Sequence, residues 1–196
     1  MGLSPALPAY TALILAGGQA SRMGGVDKGL QTLHGEALTQ HVLRSLARQT
    51  RPPAAYLLSA NRHLDHYARW GHPVLPDAEA GYPGPLAGIQ AGLAACPHPW
   101  LLVVPCDAVQ LPDDFAQRLL DAAHDRQASS AADPAHWHPT LLALHRNCAA
   151  SLDAYLARGG RSIRGWLADL DHQPVYFDQP FANANTLDDL ARLAAP

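Results

Sequence analysis

Short apolar runs and segments with helical character alternate along the first two thirds of the chain. Apolar runs without alternation, which are typical of strands buried on both faces of a sheet, occupy residues 11–15, 55–58, 73–75 and 100–104. Helices are predicted between and after these runs, at residues 38–47, 63–70, 86–96 and 113–124. This order of elements predicts an α/β domain with a mainly parallel sheet.

The pattern is less regular beyond residue 126. Residues 127–136 are polar, alanine-rich and poor in periodicity, and we interpret them as a loop or an edge segment. Strands are predicted at 140–144 and 175–177, and helices at 148–157, 162–170 and 186–195. No internal repeat or proline-rich linker divides the sequence, so the economical interpretation is a single domain over residues 1–196.

Composition narrows the class of protein. The net charge of −3 lacks the basic excess of a general nucleic-acid binder. The longest apolar runs, about five residues, are far shorter than the ~20 residues of a membrane-spanning helix. The 3 cysteines include no CxxC pair and indicate neither a disulfide framework nor a cysteine zinc site. Because residues 1–10 also lack the basic start of a signal peptide, we expect a cytoplasmic protein that binds neither nucleic acid nor membranes.

A glycine-rich segment follows the first predicted strand. It includes Gly17, Gly18 and two further glycines, together with Arg22 and Lys28, which is the single lysine of the chain. Backbone N–H groups of glycine can surround an anion, and the two cations can neutralise it, so we interpret the segment as a polyphosphate cradle. It contains neither the Gly-Lys-Ser/Thr of a Walker A loop nor GxGxxG, which argues against a P-loop NTPase and a dehydrogenase.

Asp107 comes directly after the most apolar predicted strand. In a parallel α/β sheet, ligands bind beyond the carboxyl ends of the strands, and a carboxylate there can hold Mg²⁺ against a triphosphate. Taken in isolation, an aspartate that caps the following turn is the better interpretation.

Other polar residues follow the second and third predicted strands. Ser59 and Asn61 follow the second, and Asp77 follows the third, where it could accept hydrogen bonds from a purine base or a ribose or simply form a turn. Gly84 and Gly88 lie in a loop at a helix start that could shape a base pocket or form a rigid turn.

Two other features invite functional interpretations that we do not favour. His136 and His138 would lie on one side of an extended segment, but no third zinc ligand is evident nearby. Cys106 precedes Asp107 and has no evident base to activate it, so a small buried side chain is the better interpretation.

The motifs in their order resemble those of the molybdenum cofactor guanylyltransferases, the MobA family. The resemblance begins with Leu15-Ala-Gly-Gly-x-x-x-Arg-Met-Gly-Gly-x-Asp-Lys28. It continues over almost the whole chain, with Ser59-Ala-Asn-Arg62, Asp77, Tyr82-Pro-Gly-Pro-Leu-Ala-Gly88, Pro105-Cys-Asp107, His138-Pro-Thr140 and Phe181-x-Asn-x-Asn-Thr186. The first part of the motif is shared with other nucleotidyltransferases, whereas the double glycine before x-Asp-Lys and the later asparagine pair resemble the guanylyl enzymes more narrowly.

This resemblance implies a Rossmann-like nucleotidyltransferase fold, a three-layer α/β/α arrangement with a mainly parallel sheet. It implies transfer of GMP from GTP to molybdenum-loaded molybdopterin, with Mg²⁺ as cofactor. Residues 11–110 would bind GTP and residues 111–196 would face the pterin substrate. Proteins that insert molybdenum and molybdoenzymes that receive the product are the partners that the resemblance suggests.

The resemblance also implies a role for each matching residue. The catalytic residues would be Arg22 and Lys28, which would hold the phosphates, and Asp107, which would bind the metal. Asn183 and Asn185 would lie toward the pterin. The residues expected to contact GTP are Leu15, Ala16, Gly17, Gly18, Lys28, Ser59, Asn61, Asp77, Gly84, Gly88 and Asp107. Family members commonly have asparagine where this chain has Ser59, so either Ser59 or Asn61 could make that contact.

Two alternative functions stay open at the level of sequence. A cytidylyltransferase acting on the same pterin, or another nucleotidyltransferase of this fold, would share the phosphate-binding residues and differ in those that contact the base. A non-catalytic protein that binds GTP or the cofactor is less consistent with the presence of Arg22, Lys28 and Asp107 together.

Overall fold

A computed structural model describes residues 8–16, 27–77 and 84–183 of the chain. The strands of these residues are, in chain order, β1 (Tyr10–Leu15), β2 (Thr32–Leu33), β3 (Glu36–Ala37), β4 (Ala55–Ser59), β5 (Val74–Leu75), β6 (Trp100–Pro105), β7 (Ala108–Gln110), β8 (Ala128–Ala132), β9 (Trp137–His145), β10 (His172–Tyr176) and β11 (Ala182–Asn183). The α-helices are α1 (Leu38–Ala47), α2 (Leu64–Ala68), α3 (Pro85–Ala95), α4 (Phe115–Ala123), α5 (Ala149–Ala157) and α6 (Ile163–Leu167).

Seven of these strands form one sheet in the order β10-β8-β9-β6-β1-β4-β5. Every neighbouring pair is parallel except the two that include β9, which runs antiparallel to both β6 and β8. The mainly parallel sheet predicted from the sequence is therefore confirmed, with one reversed strand.

Helices cover both faces of the sheet, because the central strands are apolar on both sides. On β1, Ala12 and Ile14 pack in a cluster with residues of α1 and α4, whereas Leu13 and Leu15 pack in a second cluster with residues of α3, α5 and α6. A continuous apolar run is what a doubly covered strand requires. The predicted three-layer α/β/α architecture is confirmed.

One prediction for the second half of the chain is wrong. Residues 127–136 were expected to be a loop or an edge segment, but residues 128–132 form β8, which lies between β9 and β10 and is buried along its whole length. Its small side chains resemble those of a polar loop in the sequence, yet Ser129 and Ser130 are buried and hydrogen bonded, to Leu119 O and to the ring of His172. Periodicity could not reveal β8, because its burial depends on neighbours elsewhere in the chain.

Shorter elements complete the description. A hairpin of β2 and β3 precedes α1, and β7 pairs with β11 in a separate two-stranded sheet. The predicted helix at residues 186–195 lies outside the described residues. Among the helices that the structure describes, none combines the length and the apolar character needed to cross a membrane.

Candidate active site

Four parallel strands end together at one edge of the sheet. Leu15, the last residue of β1, is in register with Ser59 of β4 and with Pro105 of β6, and Ser59 is in register with Leu75 of β5. Two backbone hydrogen bonds continue this order beyond the strands, from Ala16 N to Ser59 O (2.9 Å) and from Cys106 N to Leu15 O (3.1 Å). The polar residues that follow these strands are therefore brought to a common edge, as the sequence predicted for a ligand site.

Lys28 and Asp107 meet at this edge. Lys28 Nζ lies 2.6 Å from Asp107 Oδ2, although the two residues are 79 positions apart in the chain. Their side chains are 28% and 15% exposed, so the pair is shielded but open to a ligand. A compact ammonium beside a carboxylate can bind a polyphosphate and its metal counter-ion together.

A buried network holds the backbone that carries Lys28. Asp27 is the N-cap of a 3₁₀ helix at Lys28–Leu30, and its Oδ1 accepts hydrogen bonds from Gly29 N (3.2 Å) and from the hydroxyl of Tyr67 (2.7 Å). The hydroxyl of Thr39 donates to Gly29 O (3.0 Å). Burial and the hydrogen bond to Asp27 raise the pKa of Tyr67 well above its usual range, so Tyr67 is a permanent donor.

Tyr67 and Thr39 are not among the site residues predicted from the sequence. Tyr67 lies on α2 and is fully buried, and nothing in its local sequence distinguishes it from an ordinary core tyrosine. A Cβ at position 29 would stand 2.4 Å from the Tyr67 hydroxyl and 2.8 Å from Thr39 Oγ1, so Gly29 permits the close packing of this network. The position directly after Lys28 therefore requires a glycine for reasons of space.

Asn61 and Asp77 form a second polar pair at the ends of β4 and β5. Asn61 Nδ2 donates to Asp77 Oδ2 (2.6 Å), and the backbone N–H of Asp77 donates to Asn61 Oδ1 (2.8 Å). Asn61 is exposed and Asp77 is half-buried, so their remaining donors and acceptors can reach a ligand. Both residues were predicted from the sequence to contact the nucleotide, but their contact with each other was not predicted.

Ser59 has a different environment from Asn61. It is 3% exposed and lies under the start of α3, where a Cβ at Gly88 would stand 2.4 Å from Ser59 Oγ. Gly84 precedes Pro85, the first residue of α3, with a φ of 152° that L side chains rarely adopt. Of the two residues that could make the same ligand contact, Asn61 is the accessible one.

The strand pair β7–β11 brings the C-terminal motif to the same place. Asn183 of β11 is in register with Ala108, the residue that follows Asp107. The backbone of Asn183 is therefore a neighbour of the candidate metal ligand. Four other predicted site residues, Gly17, Gly18, Arg22 and Asn185, lie outside the described residues.

Cys106 is buried in the core, and His138 is paired with a carboxylate. Cys106 is 4% exposed, and burial, followed by the charge of Asp107, raises the pKa of its thiol to about 12. His138 Nε2 lies 2.7 Å from Asp133 Oδ2. Cys106 is thus a protonated thiol in the core, as the sequence analysis favoured, and the ring of His138 has a carboxylate partner.

At the candidate site, Asp107 is the carboxylate that could bind a metal ion. Nowhere in residues 8–16, 27–77 and 84–183 do three or more His, Cys, Asp or Glu side chains form a metal-binding group. Mg²⁺ commonly takes one or two carboxylates and completes its shell with water and substrate phosphates. Among the described residues, the available donors therefore fit a metal ion that binds together with a nucleotide.

The fold and the placement of these residues are those expected of a nucleotidyltransferase whose ligands bind beyond the carboxyl ends of a mainly parallel sheet. A model of the MobA-like NTP transferase domain matches residues 12–175. The chain belongs to this family and, within it, to the molybdenum cofactor guanylyltransferases.

Named relatives support the narrower assignment. The chain is 43% identical over 189 residues to the molybdenum cofactor guanylyltransferase of Cupriavidus metallidurans, with 92% of each chain covered. It is 42% identical over 207 residues to that of Burkholderia ambifaria, with 99% of each chain covered.

Solved structures show the same fold at lower identity. Molybdopterin-guanine dinucleotide biosynthesis protein A of Archaeoglobus fulgidus superimposes with a TM-score of 0.76 at 21% identity, covering 94% of this chain and 96% of the other. Rv0371c of Mycobacterium tuberculosis, in a complex with manganese, gives a TM-score of 0.67 at 14% identity, covering 95% and 96% of the two chains.

Proposed function

We propose that this protein transfers the GMP portion of GTP to molybdopterin carrying molybdenum, and releases pyrophosphate. The observation that carries the proposal is the Lys28–Asp107 pair at the carboxyl edge of the sheet, in a chain that belongs to the molybdenum cofactor guanylyltransferases. The relatives named above are guanylyl enzymes, so the cytidylyl and non-catalytic alternatives are not favoured.

The proposed reaction joins two anions. An oxygen of the terminal phosphate of molybdopterin forms a bond to the α-phosphorus of GTP. The bond from that phosphorus to the oxygen that bridges it to the β-phosphate breaks, and its electron pair leaves with pyrophosphate. The attacking phosphate is already ionised at neutral pH, so no general base is assigned. Catalysis then rests on alignment and on neutralisation of charge.

Lys28 and Arg22 are proposed to neutralise the phosphates. Lys28 can exchange its contact with Asp107 for a phosphate oxygen, because both side chains are partly exposed. MobA-like nucleotidyltransferases typically depend on a divalent metal ion, and we assign Mg²⁺ to Asp107. When bound, the ion would neutralise phosphate oxygens and polarise them.

The guanosine side is proposed to lie at Asn61 and Asp77. A carboxylate accepts hydrogen bonds and does not donate them. Guanine carries adjacent N–H donors on its pairing edge, whereas cytosine presents one donor beside acceptors. The half-buried carboxylate of Asp77 therefore favours guanine. The backbone of Leu15, Ala16, Gly17, Gly18, Gly84 and Gly88 would shape the rest of the nucleotide site.

The two substrates are proposed to bind to different parts of the chain. Residues 11–110 are proposed to hold GTP, and residues 111–196 to face the pterin through Asn183 and Asn185. Ser59 is buried, and we propose that it supports α3 without touching the nucleotide. Proteins that insert molybdenum, and molybdoenzymes that receive the product, are proposed partners.

Binding and turnover together test the proposal. Calorimetry with GTP, CTP and ATP, each with Mg²⁺, should show a clear preference for GTP. Pyrophosphate release should then require GTP, the metal and molybdenum-loaded molybdopterin, and mass spectrometry should detect the guanine dinucleotide. Preference for CTP, or GTP turnover without acceptor, would contradict the proposal.

A further inference from the structure

Asp133 lies in the described part of the chain between β8 and β9 and is 6% exposed. Its Oδ1 accepts hydrogen bonds from Ala135 N and His136 N, each at 2.8 Å, which close the turn after β8. Its Oδ2 is 2.7 Å from His138 Nε2 and accepts a hydrogen bond from Phe181 N at 3.2 Å. Oδ1 therefore stabilises a local turn, whereas Oδ2 binds a segment 48 residues away in the chain.

Hydrogen bonding keeps this carboxylate ionised. Burial by itself would raise the pKa of Asp133, but the hydrogen bonds from His138 and from three backbone amides hold the pKa well below its usual range. A buried anion that binds so many donors favours one arrangement of the segments that supply them.

The distant segment leads directly into the candidate active site. The ring of Phe181 packs against Phe115 and Phe177, with centroids 5.9 Å and 5.1 Å away. The next two residues form β11, which pairs with β7. The hydrogen bond from Phe181 N to Asp133 thus holds the chain directly before β11, two residues from Asn183, which is in register with Ala108.

We propose that Asp133 is a positioning residue, which fixes the segment bearing Asn183 beside Asp107 and thereby sets the affinity for the acceptor substrate and its alignment with the α-phosphorus of GTP. Asp133 acts through the backbone of Phe181 and is not assigned a contact with substrate. The proposal rests on the proposed function, because the acceptor is the molybdopterin phosphate named above.

The contact geometry suggests a selective variant. In Asp133→Asn, the remaining carbonyl oxygen can still accept from Ala135 N and His136 N and keep the turn. The amide group would then face Phe181 N, where a donor opposes a donor. Ser129→Ala is the matched control, because it removes another buried hydrogen bond of β8, to Leu119 O at 2.6 Å, in which neither Asp133 nor Phe181 takes part.

Steady-state kinetics with both substrates provide the first test. Loss of a hydrogen bond to an ionised group corresponds to about a tenfold to a hundredfold effect. We expect Asp133→Asn to raise the KM for molybdopterin and lower kcat, so that kcat/KM falls by about tenfold to a hundredfold. The affinity for GTP with Mg²⁺, measured by calorimetry, should stay within about twofold of the wild-type value. Ser129→Ala should leave both kinetic parameters near wild type even if it lowers stability. A general loss of stability would affect both variants and GTP binding.

Amide hydrogen exchange tests the same link without turnover. The Phe181 amide should exchange slowly in the wild-type protein, and much faster in Asp133→Asn than in Ser129→Ala. If the Phe181 amide is unprotected in the wild-type protein, the proposal is wrong, whether or not any variant folds.

Failure of this proposal can be told from failure of the proposed function. If the wild-type protein makes no guanine dinucleotide, the function is wrong. If the wild-type protein turns over and Asp133→Asn has unchanged kinetics for the acceptor, or loses GTP affinity to the same extent, the positioning role is overturned and the function stands.

Discussion

Replacing Asp107 by asparagine separates the chemistry of the site from the stability of the fold. The substitution keeps the shape of the side chain and one oxygen near Lys28 Nζ, and it removes the negative charge. We expect turnover to fall steeply while the folded structure persists.

The structure sets the size of both effects. With side chains 28% and 15% exposed, the Lys28–Asp107 pair resembles a partly solvated ion pair, which contributes no more than about 1 kcal/mol to the free energy of unfolding. A preorganised charged group at a reacting phosphate is worth about 10²- to 10³-fold in kcat, or about 3–4 kcal/mol of the barrier. Activity should therefore respond several times more strongly than stability.

Asp171→Asn is the matched control. Asp171 Oδ1 lies 2.6 Å from Arg126 Nη1, the same distance as in the Lys28–Asp107 pair, but this ion pair is exposed. Asp171 directly precedes β10, which is an edge strand of the sheet, whereas Asp107 follows the central strand β6. This variant should keep wild-type kcat with a similarly small change in stability.

Two assays decide the outcome. Urea unfolding gives the free-energy change, and pyrophosphate release at saturating GTP, acceptor and Mg²⁺ gives kcat. A loss of kcat below about tenfold in Asp107→Asn would refute the assignment of the metal ligand. So would an equal loss of kcat in Asp171→Asn, because it would show that any ion pair of this geometry has the same effect.

Three further predictions concern neighbouring residues. Lys28→Arg should lower kcat although it keeps the charge, since a planar guanidinium does not match the compact ammonium; wild-type kcat in the pyrophosphate assay would contradict this. Gly88→Ala should lower the free energy of unfolding by about 1–3 kcal/mol, because the new Cβ would stand 2.4 Å from Ser59 Oγ; an unchanged urea midpoint would contradict the packing described for α3. Cys106 should resist alkylation by iodoacetamide in the native protein at pH 8, because burial raises the pKa of its thiol to about 12 and little thiolate forms at pH 8. Rapid labelling of Cys106, detected by peptide mass spectrometry, would contradict this prediction.

The sequence by itself determined the class of fold and named the candidate site residues. Unbroken apolar runs such as those of β1 and β6 must be buried on both faces of a sheet. Because each run is a short stretch of consecutive residues, this requirement is visible in the local sequence. Placing Asp107 at the end of such a run also places it at the edge of the sheet where ligands bind. The alternation of such runs with predicted helices is what predicts a mainly parallel α/β domain.

Only the tertiary structure decided which distant groups meet. β8 is alanine- and serine-rich, and it is a buried strand because β9 and β10 satisfy its backbone on both sides. Tyr67 holds Asp27 across 40 residues, and Asp133 holds Phe181 across 48. Local sequence carries the propensity of each segment, but a hydrogen bond between segments depends on their packing, and the packing depends on the whole chain.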